Sequence, residues 1–288
     1  MKTISFLIYD IKQYISSFLK FIRNFTTNMA RLPAIFIGHG SPYNLFNKNS
    51  FTQSLKAVGK DLFSKYKPRA IILISAHWLT PGTFLTGDDN PQMVYDYYGF
   101  PKQFYEYVYL AKGSLKIAQE IARSFPNLLN TINEWGIDHA ATIVLENLNP
   151  KADIPVIELS LDVRHPPQYH FELGEKLANL REKNFLLIGS GNLIHTFREI
   201  NWDMNAEPFD WVIELDNLQK QALDSHDINI LINYEQIHLS KRGFQTNEHY
   251  LPMLYIKGMQ NEDDQLNYIY EGIQHASISH RSFIIGNY

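Results

Sequence analysis

Three histidines close apolar runs in this chain: His39 in PAIFIGHGSP (33–42), His77 in AIILISAHW (70–78) and His195 in NFLLIGSGNLIH (184–195). Imidazole binds divalent cations through a neutral ring nitrogen and exchanges protons near neutral pH. Brought together, the three make a metal site or an acid–base site. A fourth, His249 in NEHYLP, has Glu248 beside it and adds a carboxylate to the set. Adjacent side chains point in different directions, so one of this pair is the principal ligand, and His249 is favoured. His195 either completes the metal shell or stands beside it as an acid/base group. His139, in WGIDHA, either faces the same crevice or caps the helix that follows. His165, His170, His226, His238, His275 and His280 lack such placement and read as surface or hydrogen-bonded core residues.

The elements that must position these groups follow from the same runs. Four to six apolar residues without alternation read as a strand buried on both faces, and an open α/β sheet carries its reactive groups at the carboxyl ends of such strands. Strands are expected at 33–37, 70–75, 154–161 and 185–188, and another in the terminal RSFIIGN. Helices are expected at 51–66, 114–124, 140–148, 169–180 and 207–227, and in NEHYLPMLYIKG. Strand, helix and strand over 33–75 make a right-handed crossover unit that puts His39 and His77 on one sheet edge. The fold class is therefore α/β, a single domain with a central, predominantly parallel or mixed sheet flanked by helices. The segment 79–109, with DYYGFPKQFY, reads as a long loop covering the crevice. Its tyrosines suit either ordinary packing or a wall for a flat aromatic substrate.

Composition narrows the chemistry. A chain of 288 residues without a linker favours one domain, and the formal charge of −4, with no long basic block, argues against nucleic acid. There is no cysteine, so a metal must be held by nitrogen and oxygen. In residues 1–28, Ile8, Ile11, Ile15, Phe18, Leu19 and Ile22 recur at helical spacing, while Asp10 and Lys12 interrupt any membrane-length apolar run. That extension reads as an amphipathic helix, docking or lying on a membrane surface, or as an upstream stretch that is not translated. No transmembrane segment is expected.

GHGSP (38–42), SAHW (75–78), YGFP (98–101), WGIDHA (135–140), KADIPVIELSLD (151–162), GSGNLIH (189–195) and EHYLPMLY (248–255) stand in one order. Over residues 31 to 257 this order resembles the 4,5-DOPA extradiol dioxygenases, within the class III extradiol superfamily related to the catalytic subunit of protocatechuate 4,5-dioxygenase. The resemblance implies a catalytic domain over 29–288, a nonheme metal, and opening of a catechol ring such as that of DOPA, beside its two hydroxyls, with dioxygen. It places metal-site histidines at His39, His77, His195 and His249, with His195 or His139 moving protons. Fe(II) is implied for dioxygen chemistry and Zn(II) as a resident metal. A cytoplasmic enzyme, with a homo-oligomer permitted, is the corresponding expectation. The chain departs from the family where Tyr95-Asp96-Tyr97 replaces a His-Asp-Phe run and where Tyr109–Leu115 replaces YPAPGSP. Both departures touch the substrate more than the metal. Two other classes remain: a zinc hydrolase, for which an open three-histidine site suffices, and a noncatalytic small-ligand-binding protein.

Overall fold

The computed structural model describes residues 31–288, so the expected N-terminal helix lies outside the described residues. Leu32–Tyr288 forms one compact unit around an eight-stranded sheet of order β4-β3-β5-β2-β6-β1-β10-β7. The strands are β1 (Ala34–Gly38), β2 (Ala70–Thr80), β3 (Phe84–Thr86), β4 (Asn130–Ile132), β5 (Val156–Asp162), β6 (Phe185–Gly191), β7 (Leu266–Tyr270) and β10 (Ser282–Ile285). A separate two-stranded ribbon pairs β8 (Ile273–Gln274) with β9 (Ile278–Ser279).

The unalternated runs become the four central strands. β5, β2, β6 and β1 pair in parallel, and every residue of β1, β5 and β6 is buried. Alternate side chains leave for opposite faces. Ile35 and Ile37 join Phe51, Leu55 and Leu62 of helix α1 (Ser50–Lys65) and Val144 and Leu145 of a later helix on one side. Ala34 and Phe36 belong to a cluster with residues of five further helices on the other. α1 is started by a capping box in which Asn49 and Thr52 exchange side-chain and backbone hydrogen bonds. The other principal helices are α2 (Leu115–Ser124), α3 (His139–Leu148), α4 (Pro167–Leu177), α5 (Asp210–Asp224) and α6 (Leu251–Gly258).

Two expectations need correction. The second strand runs on to Thr80 rather than stopping at 75, because a register shift between Ile74 and Leu79 absorbs the polar residues without ending the pairing. His77 therefore lies within a strand and not in a turn after it. The segment 79–109 is not all loop: it contains β3 and a short helix, Lys102–Glu106. The terminal strand exists as expected: as β10 it inserts antiparallel between β1 and β7, and the sheet is mixed.

Candidate metal centre

Each site histidine is held by backbone before its ring is considered. His39 follows β1 directly, and its N–H donates to Gly191 O at 3.0 Å, tying it to the end of β6. The next residue, Gly40, has φ +63°, and a Cβ there would lie 1.8 Å from Cε1 of the buried His280. Only glycine meets both conditions. At the bulge in β2 the His77 N–H donates to Ser75 Oγ at 3.1 Å, and the Ser75 hydroxyl donates in a short bond to Asp138 Oδ2. Asp138 Oδ1 accepts from Ala141 N at 2.9 Å and so caps α3, which makes His139 its first residue. One buried aspartate thus links the strand bearing His77 to the helix bearing His139. His195 N donates to Gly243 O at 3.2 Å, and His249 O accepts from Asn192 N at 2.8 Å.

The five rings converge. His39 and His77 approach at 3.4 Å between their Nε2 atoms, and the ligating nitrogens of His39, His77 and His139 all lie within 4.8 Å of one another. Two nitrogens each about 2.1 Å from one ion, at angles between a right angle and tetrahedral, are roughly 3.0–3.4 Å apart, so the His39–His77 pair fits a shared ion. His249 has its ring centroid 4.9 Å from that of His77 and 5.3 Å from that of His39. His195 stacks on His249 with centroids 3.6 Å apart.

Hydrogen bonds set which nitrogen is available. Asp96 takes His77 Nδ1 on Oδ2 at 2.8 Å and His139 Nδ1 on Oδ1 at 2.7 Å. His249 Nδ1 meets Glu248 Oε1 at 3.2 Å. For His39 the argument runs through a single proton: the Ser190 hydroxyl donates to Ala140 O at 3.0 Å, so it accepts from His39 Nδ1–H at 3.0 Å. In all four rings the proton is on Nδ1 and the lone pair is on Nε2, the tautomer that a metal takes when an acceptor holds the other ring nitrogen.

The electrostatics agree with neutral ligands. Burial, reinforced by the neighbouring imidazoles, lowers His39, His195 and His249 well below the usual histidine value, and lowers His139 less. His77 is the exception. Burial would lower it, but Asp96 and Asp138 outweigh burial and raise it. Asp96 itself is held far below the usual carboxylate range: burial opposes this, and the hydrogen bonds from His139 and His77 prevail. Behind the site, Glu158 accepts from Asp138 N and from Trp135 Nε1, each at 3.0 Å, and burial pushes its carboxyl well up.

All five candidate histidines therefore meet, with His139 both in the crevice and at the start of its helix. Two residues that hold the cluster's rings were not singled out from sequence. Asp96 is conspicuous only as the centre of Tyr95-Asp96-Tyr97, and Ser190 only as part of GSGN. Tyr95 and Tyr97 are structural ties, their hydroxyls donating to Tyr107 O at 2.8 Å and Phe104 O at 2.6 Å, and the Tyr97 ring stands edge-on to His139. No helix among the described residues is long and apolar enough to cross a membrane.

Comparison with known proteins bears on the same residues. Residues 33–286 match the family described as the catalytic LigB subunit of aromatic ring-opening dioxygenase. The 4,5-DOPA dioxygenase extradiol of Escherichia coli K12 is 35% identical over 270 residues, covering 92% of this chain and 98% of that protein. The protein of the same name from Beta vulgaris is 30% identical over 260 residues, covering 86% and 94%. A crystal structure of an uncharacterized Escherichia coli K12 protein superposes with a TM-score of 0.78 at 34% identity, covering 89% of this chain and all of that one.

Proposed function

The chain belongs to the LigB family of aromatic ring-opening dioxygenases, and from that membership we propose that it is a nonheme Fe(II) extradiol dioxygenase opening the ring of a catechol such as DOPA. The observation that carries the reading is the convergence of His39, His77 and His139. A neutral imidazole set with carboxylate and hydroxyl partners on Nδ1 suits iron or zinc. Fe(II), when bound, supplies the electron transfer to dioxygen that redox-inactive Zn(II) does not, while either metal would orient the two catechol oxygens.

His39 and His77 are the fixed pair of ligands. His249 is proposed as the third in preference to Glu248, because Glu248 Oε1 already accepts from Thr246 Oγ1 at 2.6 Å and faces His249 Nδ1. The tighter grouping of His139 with His39 and His77 favours a second reading in which His139 is the third ligand. His195 is proposed at the edge of the metal site, taking a catechol proton on a ring nitrogen, since burial keeps that ring neutral and able to accept. Where His139 is not a ligand, its Nδ1–H stays on Asp96 and its Nε2 lone pair takes a catechol proton and later returns it to the opening ring.

Reconstitution with Fe(II) under nitrogen, then oxygen and a panel of catechols, should give oxygen uptake and yellow ring-opened semialdehydes. No uptake with any catechol at confirmed iron loading overturns the proposal. Turnover of a hydrolysable substrate with zinc and without oxygen would favour a zinc hydrolase, and ligand binding unaffected by metal removal would favour a binding protein. Elemental analysis of His139→Gln and His249→Ala separates the two ligand sets, because only the variant lacking the third ligand loses metal. We place the activity in the cytoplasm, which fractionation of cells expressing the chain tests.

A further inference from the structure

A cavity of about 10 Å³ lies against His139, among the turn at 42–45, the segment 93–97, Phe104 and Tyr107, and the first turns of α3. That is room for a single molecule about the size of water. The ligating nitrogen of His139 lies within 4.8 Å of those of His39 and His77, so this one residue borders both the cavity and the metal centre. The walls are fixed through backbone. Met93 bridges to Ile137, and Val94 N donates to Ile137 O at 2.8 Å. The Tyr95 and Tyr97 hydroxyls tie the same segment to Tyr107 O and Phe104 O.

The lining selects against water. Pro42, Leu45, Met93, Val94, Phe104 and Ile143 bring side chains of carbon and sulfur alone. The polar side chains that share the lining have their protons committed elsewhere: besides Tyr95 and Tyr97, the Tyr107 hydroxyl donates to Glu146, Thr142 Oγ1 donates to Asp138 O at 2.7 Å, and His139 Nδ1–H is on Asp96. A buried water stays only where several polar partners meet it, whereas an apolar cavity remains dry and takes an apolar guest. A catechol ring is too large for this space. A diatomic molecule without a dipole suits it in size and in chemistry.

We propose that this cavity is a dioxygen-binding site that supplies the neighbouring metal centre. The supply role rests on the dioxygenase reading; the binding does not. Dioxygen is paramagnetic, so it speeds the relaxation of any methyl group it touches. In the Zn(II)-loaded chain, which the redox-inactive metal keeps from turning over, pressurised oxygen should raise the relaxation rate of the Ile143 methyl several-fold more than those of Ile72 and Ile188, equally buried in β2 and β6. A polar gadolinium chelate should leave all three unchanged. Val94→Phe, or Leu45→Phe from the turn, adds bulk at a half-buried position and should abolish the excess at Ile143 while circular dichroism stays that of the parent chain. With Fe(II), the same variants should raise the KM for oxygen several-fold and not that for catechol. Equal rates at the three methyls, an effect of the chelate on Ile143, or an excess that survives both variants overturns the site. An unchanged KM for oxygen in variants that have lost the excess overturns the supply role. Absence of oxygen uptake at confirmed iron loading overturns the dioxygenase reading, with the relaxation rates still deciding whether the cavity binds oxygen.

Discussion

His170 and His280 are as deeply buried as the histidines of the metal centre, yet they are chemically a different population. Both are fully buried, and burial lowers them to about 4 and about 3. Among the described residues, Nε2 of His170 and both ring nitrogens of His280 have no partner, His170 Nδ1 meets the Tyr255 hydroxyl at 3.2 Å, and His280 is packed by the edge of Phe51. In the centre, by contrast, Ser190, Asp96 and Glu248 each accept from an Nδ1, and the Nε2 lone pairs are directed into a common space. Depressed basicity does not distinguish a ligand from a packing residue. An acceptor on Nδ1 together with an Nε2 that faces other imidazoles does.

The sharpest way to break that contrast is at the ligands. His39→Ala or His77→Ala removes a directed lone pair, and should lower kcat/KM by roughly 10³-fold or more through loss of metal. Full metal occupancy in both folded variants would show that the convergence is only packing.

The packing population makes the next largest prediction, on stability instead of activity. His170 folded is near 4, against 6.5 when unfolded, so as pH falls from about 6.5 the unfolded chain takes the proton first. Stability is complete above about 6.5 and is lost down to about 4, on the order of 3 kcal/mol from this one residue. Denaturant unfolding of His170→Leu across that range should show a flatter profile than the parent chain, and parallel profiles would refute the assignment.

Asp96→Asn tests the acceptor itself. An amide keeps one oxygen and turns a donor toward the other imidazole, so His77 and His139 cannot both be served. Metal affinity measured against a chromophoric chelator should weaken by about 10–100-fold. Unchanged affinity would remove Asp96 from the centre. The smallest effect is expected for Glu248→Gln, whose amide oxygen can still face His249 Nδ1. Replacing a charged acceptor with a neutral one is worth about 1 kcal/mol, a drop of about fivefold, and complete loss of metal would instead make Glu248 the ligand.

What the sequence discloses of this arrangement follows from range. The strands bearing His39 and His195 are legible because burial on both faces leaves an unbroken apolar run, and the strand ends then place the rings. His139 is legible as a helix start because Asp138 has the chemistry of a cap. The continuation of β2 past Ser75 is not, since what holds the bulge is a hydroxyl bonded to a residue 63 positions away. Asp96 is hidden for the same reason: its partners are His77 and His139, and its own neighbours are tyrosines with no periodic pattern. β7 has partly exposed residues and lies at the sheet edge, so neither hydrophobicity nor alternation announces it.

The contact between Gly40 and His280 bears on how this chain can change over time. The loop that presents His39 bends where a methyl group would collide with an imidazole 240 positions downstream. A mutation at either position alone meets a filter set by the other: bulk at 40 needs room at 280, and a smaller residue at 280 leaves a void under the loop. Among descendants of a common ancestor the two positions should drift as a pair or stay fixed together, a covariation carried by shape, with no exchanged proton or charge.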